Sequence, residues 1–399
     1  MRRGCGRVAA VAGVVALAAV AAGCGGPPSA QASAPSGITA RSFTATYAVM
    51  ARFRALAAAG RGSVGVLLPD DGPLDPNAAL DAASLQKAFR LAGLDTSQYR
   101  VDDAHGDAAR QRAQASADIT AGASVLLLDA VNATTGIAIE QAAGRRGVRV
   151  VDYDRFTQGG SRDYFVGFDS QAVGTLMGQG VVSCVSAWHI ASPEVLELTR
   201  PLSDPSAVQL AQGYSAALAP QFQAGAYTRV GEATVAYGSS AAPVVQQALG
   251  ATPGINVVVA ADDPLADAAV QVLRSSGIGP LTVAVTGRDA SLPALRDVLR
   301  GYQCGSVYEP TYAEAQAGAA VALYLRGELS PPGALADQVV ADTTTNFNVP
   351  AVVLTPRWVT ASTLDKTVVA DHDVSVAALC AGDIASVCRR AGITRSSAG

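Results

Sequence analysis

Short apolar runs alternate with helix-like segments along most of this chain, and the alternation begins again about halfway through. The runs have strand length, and several, such as 125–128, are continuously apolar. Alternation of this kind favours a parallel sheet with helices on both faces, and continuous apolar runs fit strands buried on both sides. The sequence therefore predicts an α/β fold with two units joined by several strands. The predicted strands lie at 63–69, 99–103, 123–128, 148–153, 163–168, 194–198, 227–231, 255–260, 281–285, 306–308 and 349–355.

Two of these runs, far apart in the chain, end in charged residues. One is followed by Asp154 and Arg155, and the other, after one alanine, by Asp262 and Asp263. In open α/β sheets, ligands bind beside the carboxyl ends of the strands. The two charged edges therefore predict one polar cleft between two lobes.

The charge balance and the missing motifs exclude several functions. Only 16% of the residues are charged and the net charge is −4, so there is no basic surplus to neutralise the phosphates of a nucleic acid. The sequence has no GxSxG elbow, HExxH pair or GxxxxGK(S/T) loop, and its three histidines are scattered. We therefore expect neither an enzyme nor a nucleic-acid-binding protein, and no cofactor or metal.

The N-terminal end of the sequence is typical of an export signal. Three arginines among the first seven residues precede an apolar stretch at 8–22, which is shorter than the roughly 20 residues of a membrane span. Small residues then lead to Cys24, as in the lipobox of bacterial lipoproteins, where the cysteine carries lipid. We expect a lipoprotein signal at 1–24, a lipid on Cys24 that anchors the protein to the outer face of the bacterial cell membrane, and a flexible tether at 25–50. An ordinary cleavable signal and an uncleaved anchor are the alternatives.

Four cysteines follow Cys24, in a compartment that is expected to be oxidising. Cys380 and Cys388 lie close together in the sequence and are predicted to close a small loop as a disulfide. Two free buried thiols are the alternative. A second pairing, Cys184 with Cys304, stays open at this point, and a bond between two lobes would restrict their movement.

Three blocks of sequence carry a family resemblance. The first is Val-Asp-Tyr-Asp-Arg at 151–155 with Tyr-Phe-Val-Gly-Phe-Asp at 164–169, and the second is Ala-Asp-Asp at 261–263. The third is Gly-Arg-Asp-Ala at 287–290, which leads to Val-Tyr-Glu-Pro at 307–310. In their order and spacing they resemble the type I periplasmic solute-binding proteins, specifically the xylose and related sugar receptors of ABC importers. The resemblance implies two Rossmann-like lobes with parallel sheets, joined by a hinge of several strands.

The resemblance also implies which residues contact a ligand. Asp154 and Arg155 match an Asp-Arg pair that hydrogen-bonds sugar hydroxyls, and Asp289 matches a sugar-binding aspartate. Asp262 stands where the family has an asparagine, and Glu309 where the xylose receptors have a lysine. The implied ligand-binding set is Asp154, Arg155, Asp262, Asp263, Asp289, Glu309 and, near the position of a stacking tryptophan, Tyr237.

Helix capping competes with ligand contact at three of these positions. Asp262 and Asp263 precede Pro264, and Asp289 precedes a predicted helix, so each of them could cap a helix and stabilise it by roughly 1 kcal/mol. If the acids converge on one cleft, with Arg155 as the only clear cation, they repel one another. A ligand with a positive group would relieve that repulsion.

The resemblance implies a receptor rather than an enzyme. We expect an extracytoplasmic, monomeric lipoprotein that captures a sugar, polyol or amino sugar and delivers it to an ABC permease in the membrane. A ligand sensor or adaptor with an altered or degenerate sugar pocket is the alternative. The N-terminal lobe is expected at 51–186 plus 310–342, and the C-terminal lobe at 187–309 plus 343–399.

Overall fold

The chain forms two separate sheets. The computed structural model describes residues 34–69, 78–201, 204–236 and 239–393. The strands are β1 (Ser63–Leu68), β2 (Tyr99–Asp103), β3 (Ala123–Leu128), β4 (Arg149–Tyr153), β5 (Tyr164–Phe168), β6 (Glu194–Thr199), β7 (Thr228–Thr234), β8 (Val257–Ala260), β9 (Ala284–Arg288), β10 (Gln303–Tyr308), β11 (Gln338–Asp342), β12 (Phe347–Leu354) and β13 (Arg357–Val359). The helices are α1 (Arg54–Ala59), α2 (Ala78–Leu91), α3 (Ala108–Thr120), α4 (Ala133–Gly144), α5 (Ser170–Ala187), α6 (Pro205–Gln223), α7 (Ala242–Ala251), α8 (Asp263–Ser275), α9 (Leu292–Arg300), α10 (Thr311–Arg326), α11 (Val376–Leu379) and α12 (Ala385–Arg390). The predicted signal at 1–24, with Cys24, lies outside the described residues.

Both sheets are parallel except for one edge strand each. The seven-stranded sheet has the order β11-β12-β5-β4-β3-β1-β2, and only β11 is antiparallel to its neighbour. The six-stranded sheet has the order β13-β10-β9-β8-β6-β7, in which β13 is the antiparallel member. Helices surround both sheets, which belong to one compact unit. The predicted α/β fold with two lobes is confirmed.

Helix α10 forms the centre of the first lobe. Every residue from Ala313 to Arg326 is buried, and the helix packs on β1, β3, β4, β5 and α2. Alanine and glycine predominate in it, which lets the helix lie close to the sheet. A Cβ atom at Gly318 would lie only 3.0 Å from Cδ2 of Tyr153 in β4, so a larger residue there would force the two elements apart.

The chain passes between the two sheets three times, and two of these passages correct the predicted lobe boundaries. Helix α5 packs on α6, β9 and β10 of the second sheet, so the first passage lies at 169 instead of 186. A Cβ atom at Gly174 of α5 would collide with the Leu210 carbonyl of α6, and this close fit holds α5 in the second lobe. Strand β12 pairs with β5 in the first sheet, and the chain then enters β13 in the second. The last passage therefore lies at 355–356 instead of 342, because β12 is a strand of the first sheet, between β11 and β5.

The predicted tether at 25–50 also needs correction in its described part. Residues 34–50 contain two short 3-10 helical segments, Ala40–Ser42 and the start of Ala48–Phe53, and bury Ile38, Phe43 and Met50 almost completely. The Thr44 carbonyl accepts a hydrogen bond from Gln316 Nε2 of α10 at 2.9 Å. These apolar side chains dock the segment on the first lobe, because leaving them in water would be unfavourable.

Two disulfides lie in the second lobe. Cys380–Cys388 closes the loop between α11 and α12, which pack with α9 in a separate apolar cluster. Cys184–Cys304 joins α5 to β10. Since both of these elements belong to the second lobe, this bond does not connect the two lobes. Among the described helices, none combines the length and apolar character that crossing a membrane requires.

Candidate ligand-binding site

The first lobe presents charged residues at the carboxyl edge of its sheet. Asp129 follows β3, and Asp154 follows the neighbouring strand β4. Asp154 has a left-handed backbone with a φ of 60°, which turns the chain out of the sheet and leaves its side chain at the surface. Arg155 Nε lies 3.7 Å from Asp129 Oδ1, and the Arg155 side chain is 35% exposed. Carboxylates and a guanidinium group therefore stand together at this edge.

A buried ionic network fixes the loop that follows β4. Arg162 donates to the Asp342 carboxylate at the end of β11, to the Thr157 carbonyl, and to the Gly160 carbonyl at 3.1 Å. Asp342 also accepts the Gly159 N–H at 2.8 Å. Although burial acts in the opposite direction, backbone N–H donors and Arg162 hold the pKa of Asp342 below its usual range. The network ties the loop beside Asp154 to the β11–β12 hairpin.

Two further carboxyl groups are buried next to Arg162. Asp152 Oδ2 lies 4.0 Å from Arg162 Nη1 and accepts the Thr157 N–H at 2.7 Å. Glu140 of α4 accepts the Ser161 N–H. Burial, together with the neighbouring Glu140 carboxyl group, raises the pKa of Asp152 well above its usual range, and burial raises the pKa of Glu140. Arg162 thus lies among three buried acids.

The second lobe contributes an ion pair between the ends of β6 and β8. Arg200 follows β6, and its Nε and Nη2 donate to the two carboxylate oxygens of Asp262 at 2.5 and 2.9 Å. Asp262 also caps α8 by accepting the Leu265 N–H at 3.0 Å. Capping and ion pairing therefore both occur at Asp262. The Arg200 guanidinium group, a bidentate donor, and the Asp262 carboxylate that accepts from it therefore lie at this strand edge.

Asp263 lies inside the second lobe, which corrects its predicted ligand contact. Its side chain is 2% exposed and accepts hydrogen bonds from the Ser291 N–H at 2.7 Å, from Ser306 Oγ at 2.8 Å and from Gln303 Nε2 at 3.1 Å. Burial, reinforced by Asp289, raises the pKa of Asp263 to about 8. The carboxyl group is used within the lobe, where it connects β10 to the start of α9.

Arg288, Asp289 and Glu309 form a charged group at the ends of β9 and β10. Arg288 Nε lies 3.1 Å from Asp289 Oδ1 and 3.4 Å from Glu309 Oε2. Asp289 and Ala290 both have left-handed backbones, with φ of 99° and 51°, so the chain turns sharply after β9. The Ala290 N–H donates to Ser306 Oγ at 3.0 Å, which holds this turn against β10.

Charges from both lobes act on Glu309. Burial, opposed by Arg288 and reinforced by Asp289 and by Asp154 of the first lobe, raises the pKa of Glu309 to about 7. Glu309 itself lies in the passage between β10 and α10. The strand edges of the two lobes therefore bring Asp154, Asp289 and Glu309 into one electrostatic environment.

A pH dependence of stability follows from Glu309. Between about pH 4.5 and 7 the folded protein holds a proton that the unfolded chain releases, so this group lowers the free energy of unfolding by up to about 3 kcal/mol as pH rises. Glu309→Gln has no proton to release at this position. The free energy of unfolding of the variant, relative to that of the parent protein, is therefore expected to increase between about pH 4.5 and 7. Urea unfolding at a series of pH values measures the difference.

The exposed Glu328 provides the matched control for that experiment. Glu328→Gln is expected to follow the parent protein at every pH. A Glu309→Gln curve that runs parallel to the parent curve would contradict the raised pKa of Glu309.

Sequence reasoning missed several charged residues near these edges. Asp129, Arg200 and Arg288 stand at or directly after a strand, and the strand-end rule could have found them. The prediction that Arg155 is the only clear cation is therefore wrong. Glu314 of α10 and Asp81 of α2 also belong to this region, but they lie on helices, where no strand-end signal exists. Tyr237, predicted near a stacking position, lies outside the described residues.

Comparison with known sequences identifies periplasmic binding proteins as relatives of this chain. The family model described as "periplasmic binding protein domain" matches residues 77–329, well over half of the chain. The chain is 28% identical to the D-xylose-binding periplasmic protein of Escherichia coli over 277 residues, which cover 68% of this chain and 80% of that protein. It is also 28% identical to a multiple sugar-binding periplasmic protein of Azospirillum brasilense, covering 68% and 81%.

Solved structures show the same architecture. The chain is similar to a carbohydrate transporter solute-binding protein of Chloroflexus aurantiacus in complex with D-glucose, with a TM-score of 0.69, 22% identity, and coverage of 79% of this chain and 97% of that one. It is also similar to a myo-inositol-binding protein of Caulobacter, with a TM-score of 0.61, 22% identity, and coverage of 77% and 97%. At this level of identity the likeness supports the fold alone.

Proposed function

Because the chain belongs to the periplasmic binding protein domain family, which consists of solute-binding proteins rather than enzymes, we propose that it captures a small polar ligand between its two lobes for an ABC importer. The family is extracytoplasmic, and the protein acts outside the cytoplasm accordingly. Its lobes close on the ligand through movement at the three chain passages, in the manner of a hinge.

One observation carries this proposal: Glu309 lies in a chain passage between the lobes, where acids of both lobes act on it. Burial raises the pKa of Glu309 to about 7, and Asp289 of the second lobe and Asp154 of the first add to that effect. A ligand that contacts these three residues would contact both lobes at once. Its binding would therefore favour a closed arrangement over an open one.

The chemistry of the strand edges suits a ligand with several hydroxyl groups. Carboxylates accept hydrogen bonds and guanidinium groups donate them, so a sugar, polyol or amino sugar finds both kinds of partner. We assign ligand contact to the predicted Asp154, Arg155, Asp262, Asp289 and Glu309. One cation that sequence reasoning missed, Arg288, is added to that set.

Export and attachment to the membrane are part of the same proposal. A lipid on Cys24 would hold the receptor, as a monomer, beside an ABC permease in the cell membrane. The described part of the chain begins at residue 34, and its first segment docks on α10.

A ligand screen tests the proposal directly. Thermal-shift measurements, followed by calorimetry, would compare sugars, polyols and amino sugars on the purified protein. We expect saturable binding of at least one class. Asp154→Ala should weaken that binding by about 10- to 100-fold, because it removes a charged hydrogen-bond acceptor worth about 1.5–3 kcal/mol.

The exposed Asp337, which lies between α10 and β11, supplies the control variant. Asp337→Ala is expected to bind like the parent protein. Absence of binding by all three ligand classes, with the protein folded by circular dichroism, would overturn the proposed receptor function.

A further inference from the structure

Glu314 is a buried acid with an unsatisfied oxygen. It lies in the first turn of α10, and its residue is only 5% exposed. Within the part of the chain that the structure describes, Glu314 Oε1 has no hydrogen-bond partner. The N-terminal end of a helix favours a carboxylate electrostatically, but it does not supply the missing hydrogen bond. A buried carboxyl oxygen without a partner is costly unless something else binds it.

The face of α10 that carries Glu314 lies against the ends of two strands of the first sheet. Gly318 follows one turn later on the same helix face. A Cβ atom there would lie 3.0 Å from Tyr153 of β4 and 3.2 Å from Leu127 of β3. Since α10 begins at the passage from the second lobe, its first turn lies near the carboxyl edge of the first sheet. This is the edge at which Asp129 and Asp154 leave the sheet.

Acids from four segments of the chain act electrostatically on Glu314. Tyr153 donates from its hydroxyl to Asp81 Oδ1 of α2 at 2.7 Å, which brings that carboxylate to the end of β4. Burial raises the pKa of Glu314 well above its usual range, and the charges of Asp154, Asp81, Glu309 and Asp129 add to the effect. These four acids lie on α2, after β3, after β4 and in the passage before α10. Arg155, beside Asp129, and Arg288, beside Glu309, are the cations paired at the rim of this cluster.

We propose that Glu314, together with Asp154, binds a protonated amine of the ligand, so that the ligand is an amino sugar or an amino-substituted cyclic polyol. The inference rests on the proposed receptor function and narrows its ligand class. An ammonium group carries one positive charge and three donors, which matches an unsatisfied carboxyl oxygen next to further carboxylates. The hydroxyl groups of the same ligand would face the arginine-paired acids Asp262, Asp289 and Glu309. A neutral sugar would leave the negative charge near Glu314 uncompensated.

Calorimetry with matched ligand pairs tests the inference. Glucosamine is compared with glucose, and an amino-substituted inositol with myo-inositol, each in two buffers that differ in ionisation enthalpy. The member with an amine in at least one pair is expected to bind about 10- to 100-fold more tightly than its neutral partner. Its binding is also expected to release protons from the acid cluster near neutral pH, whereas the neutral ligand releases none.

Glu314→Gln separates this contact from general ligand binding. The variant should lose most of the preference for the amine and most of the proton release, and it should keep its affinity for the neutral ligand. Glu328→Gln, an exposed acid just beyond the end of α10, should change neither quantity. Unfolding curves of both variants show whether the fold is intact.

The outcomes distinguish failure of the amine site from failure of the receptor function. Equal affinity for the amine and neutral members of both pairs, or an equal loss of both in Glu314→Gln, would overturn the amine site and leave the receptor function standing. Binding of neither member of either pair, together with a negative screen of the three ligand classes, would overturn the receptor function and the amine site with it.

Discussion

Replacing Arg162 by methionine is expected to lower the free energy of unfolding by about 3–5 kcal/mol at neutral pH. Methionine keeps part of the apolar stem but removes the charge that lies among Asp342, Asp152 and Glu140. The Asp342 and Asp152 side chains are 0% exposed, so water cannot replace the lost cation. Breaking a buried ion pair from one side leaves an uncompensated charge, which costs more than the pair itself contributes.

Arg149→Met provides the matched control in the same lobe. Arg149 pairs with Asp163 at 2.6 Å, but its side chain is 49% exposed, so we expect a loss of less than about 1 kcal/mol. Urea unfolding followed by circular dichroism measures both variants. The loss in Arg162→Met should shrink at lower pH, because the Asp342 carboxylate, whose pKa Arg162 helps to lower, then takes up a proton. Equal, small effects of the two substitutions would show that the network is not a buried ionic one.

The second large effect is expected from the Cys184–Cys304 disulfide. Removing it by a double substitution to serine should lower the free energy of unfolding by about 4–5 kcal/mol, because the bond closes a loop of 120 residues and restricts the unfolded chain. The Cys380–Cys388 bond closes a loop of only 8 residues, and its removal should cost about 2–3 kcal/mol. Unfolding under non-reducing conditions compares the two variants with the parent.

Ligand binding gives this second prediction another readout. Both cysteines of the Cys184–Cys304 bond lie in the second lobe, so the bond does not hold the two lobes together. We expect the double variant to bind ligand with the affinity of the parent protein at temperatures where it is folded. A markedly changed affinity would indicate that the bond does restrict closure, contrary to the placement of α5 and β10.

The fold could be predicted because its strands are apolar along their length. β8 is buried at every position and β3 at all but one, and such runs are visible in the sequence as continuous Val, Leu and Ala. Edge strands lack this signal. β11 is largely exposed and β13 has three residues, so neither was predicted.

The lobe boundaries were misplaced because pairing partners are not visible in local sequence. Helix α5 follows a strand of the first sheet but packs on the second, and only its close contact with α6 shows this. The prediction of a tether rests on residues 25 to about 45, which are rich in Gly, Pro, Ser and Ala. Ile38, Phe43 and Met50 indicated a docked segment instead, since a linker in water has no use for large apolar side chains.

The candidate site was predictable where charges follow strands and unpredictable where they do not. Asp154 and Asp262 were found because each stands directly beyond an apolar run. Asp263 shares that pattern but turns into the lobe, since Ser291, Ser306 and Gln303 bind its carboxyl group. Whether Asp262 or Asp263 faces the strand edge depends on the direction of the backbone after β8, which cannot be predicted from the sequence.

Glu314 shows a further limit of sequence reasoning. In the sequence of α10 it is one acid among alanines, and such an acid is usually on the exposed face of a helix. Its importance comes from the strands on which α10 packs and from the acids at their ends. Only the three-dimensional arrangement brings Asp81 and Asp154 to the same place.

A crystal structure of the protein with the tightest ligand from the screen tests the central claim most directly. We expect the ligand between the strand edges of the two lobes, in contact with Asp154 on one side and with Asp289 or Glu309 on the other. A ligand bound to one lobe alone would contradict the claim. One such place is the hollow of about 430 Å³ that Trp188, Leu299 and Trp358 line in the second lobe.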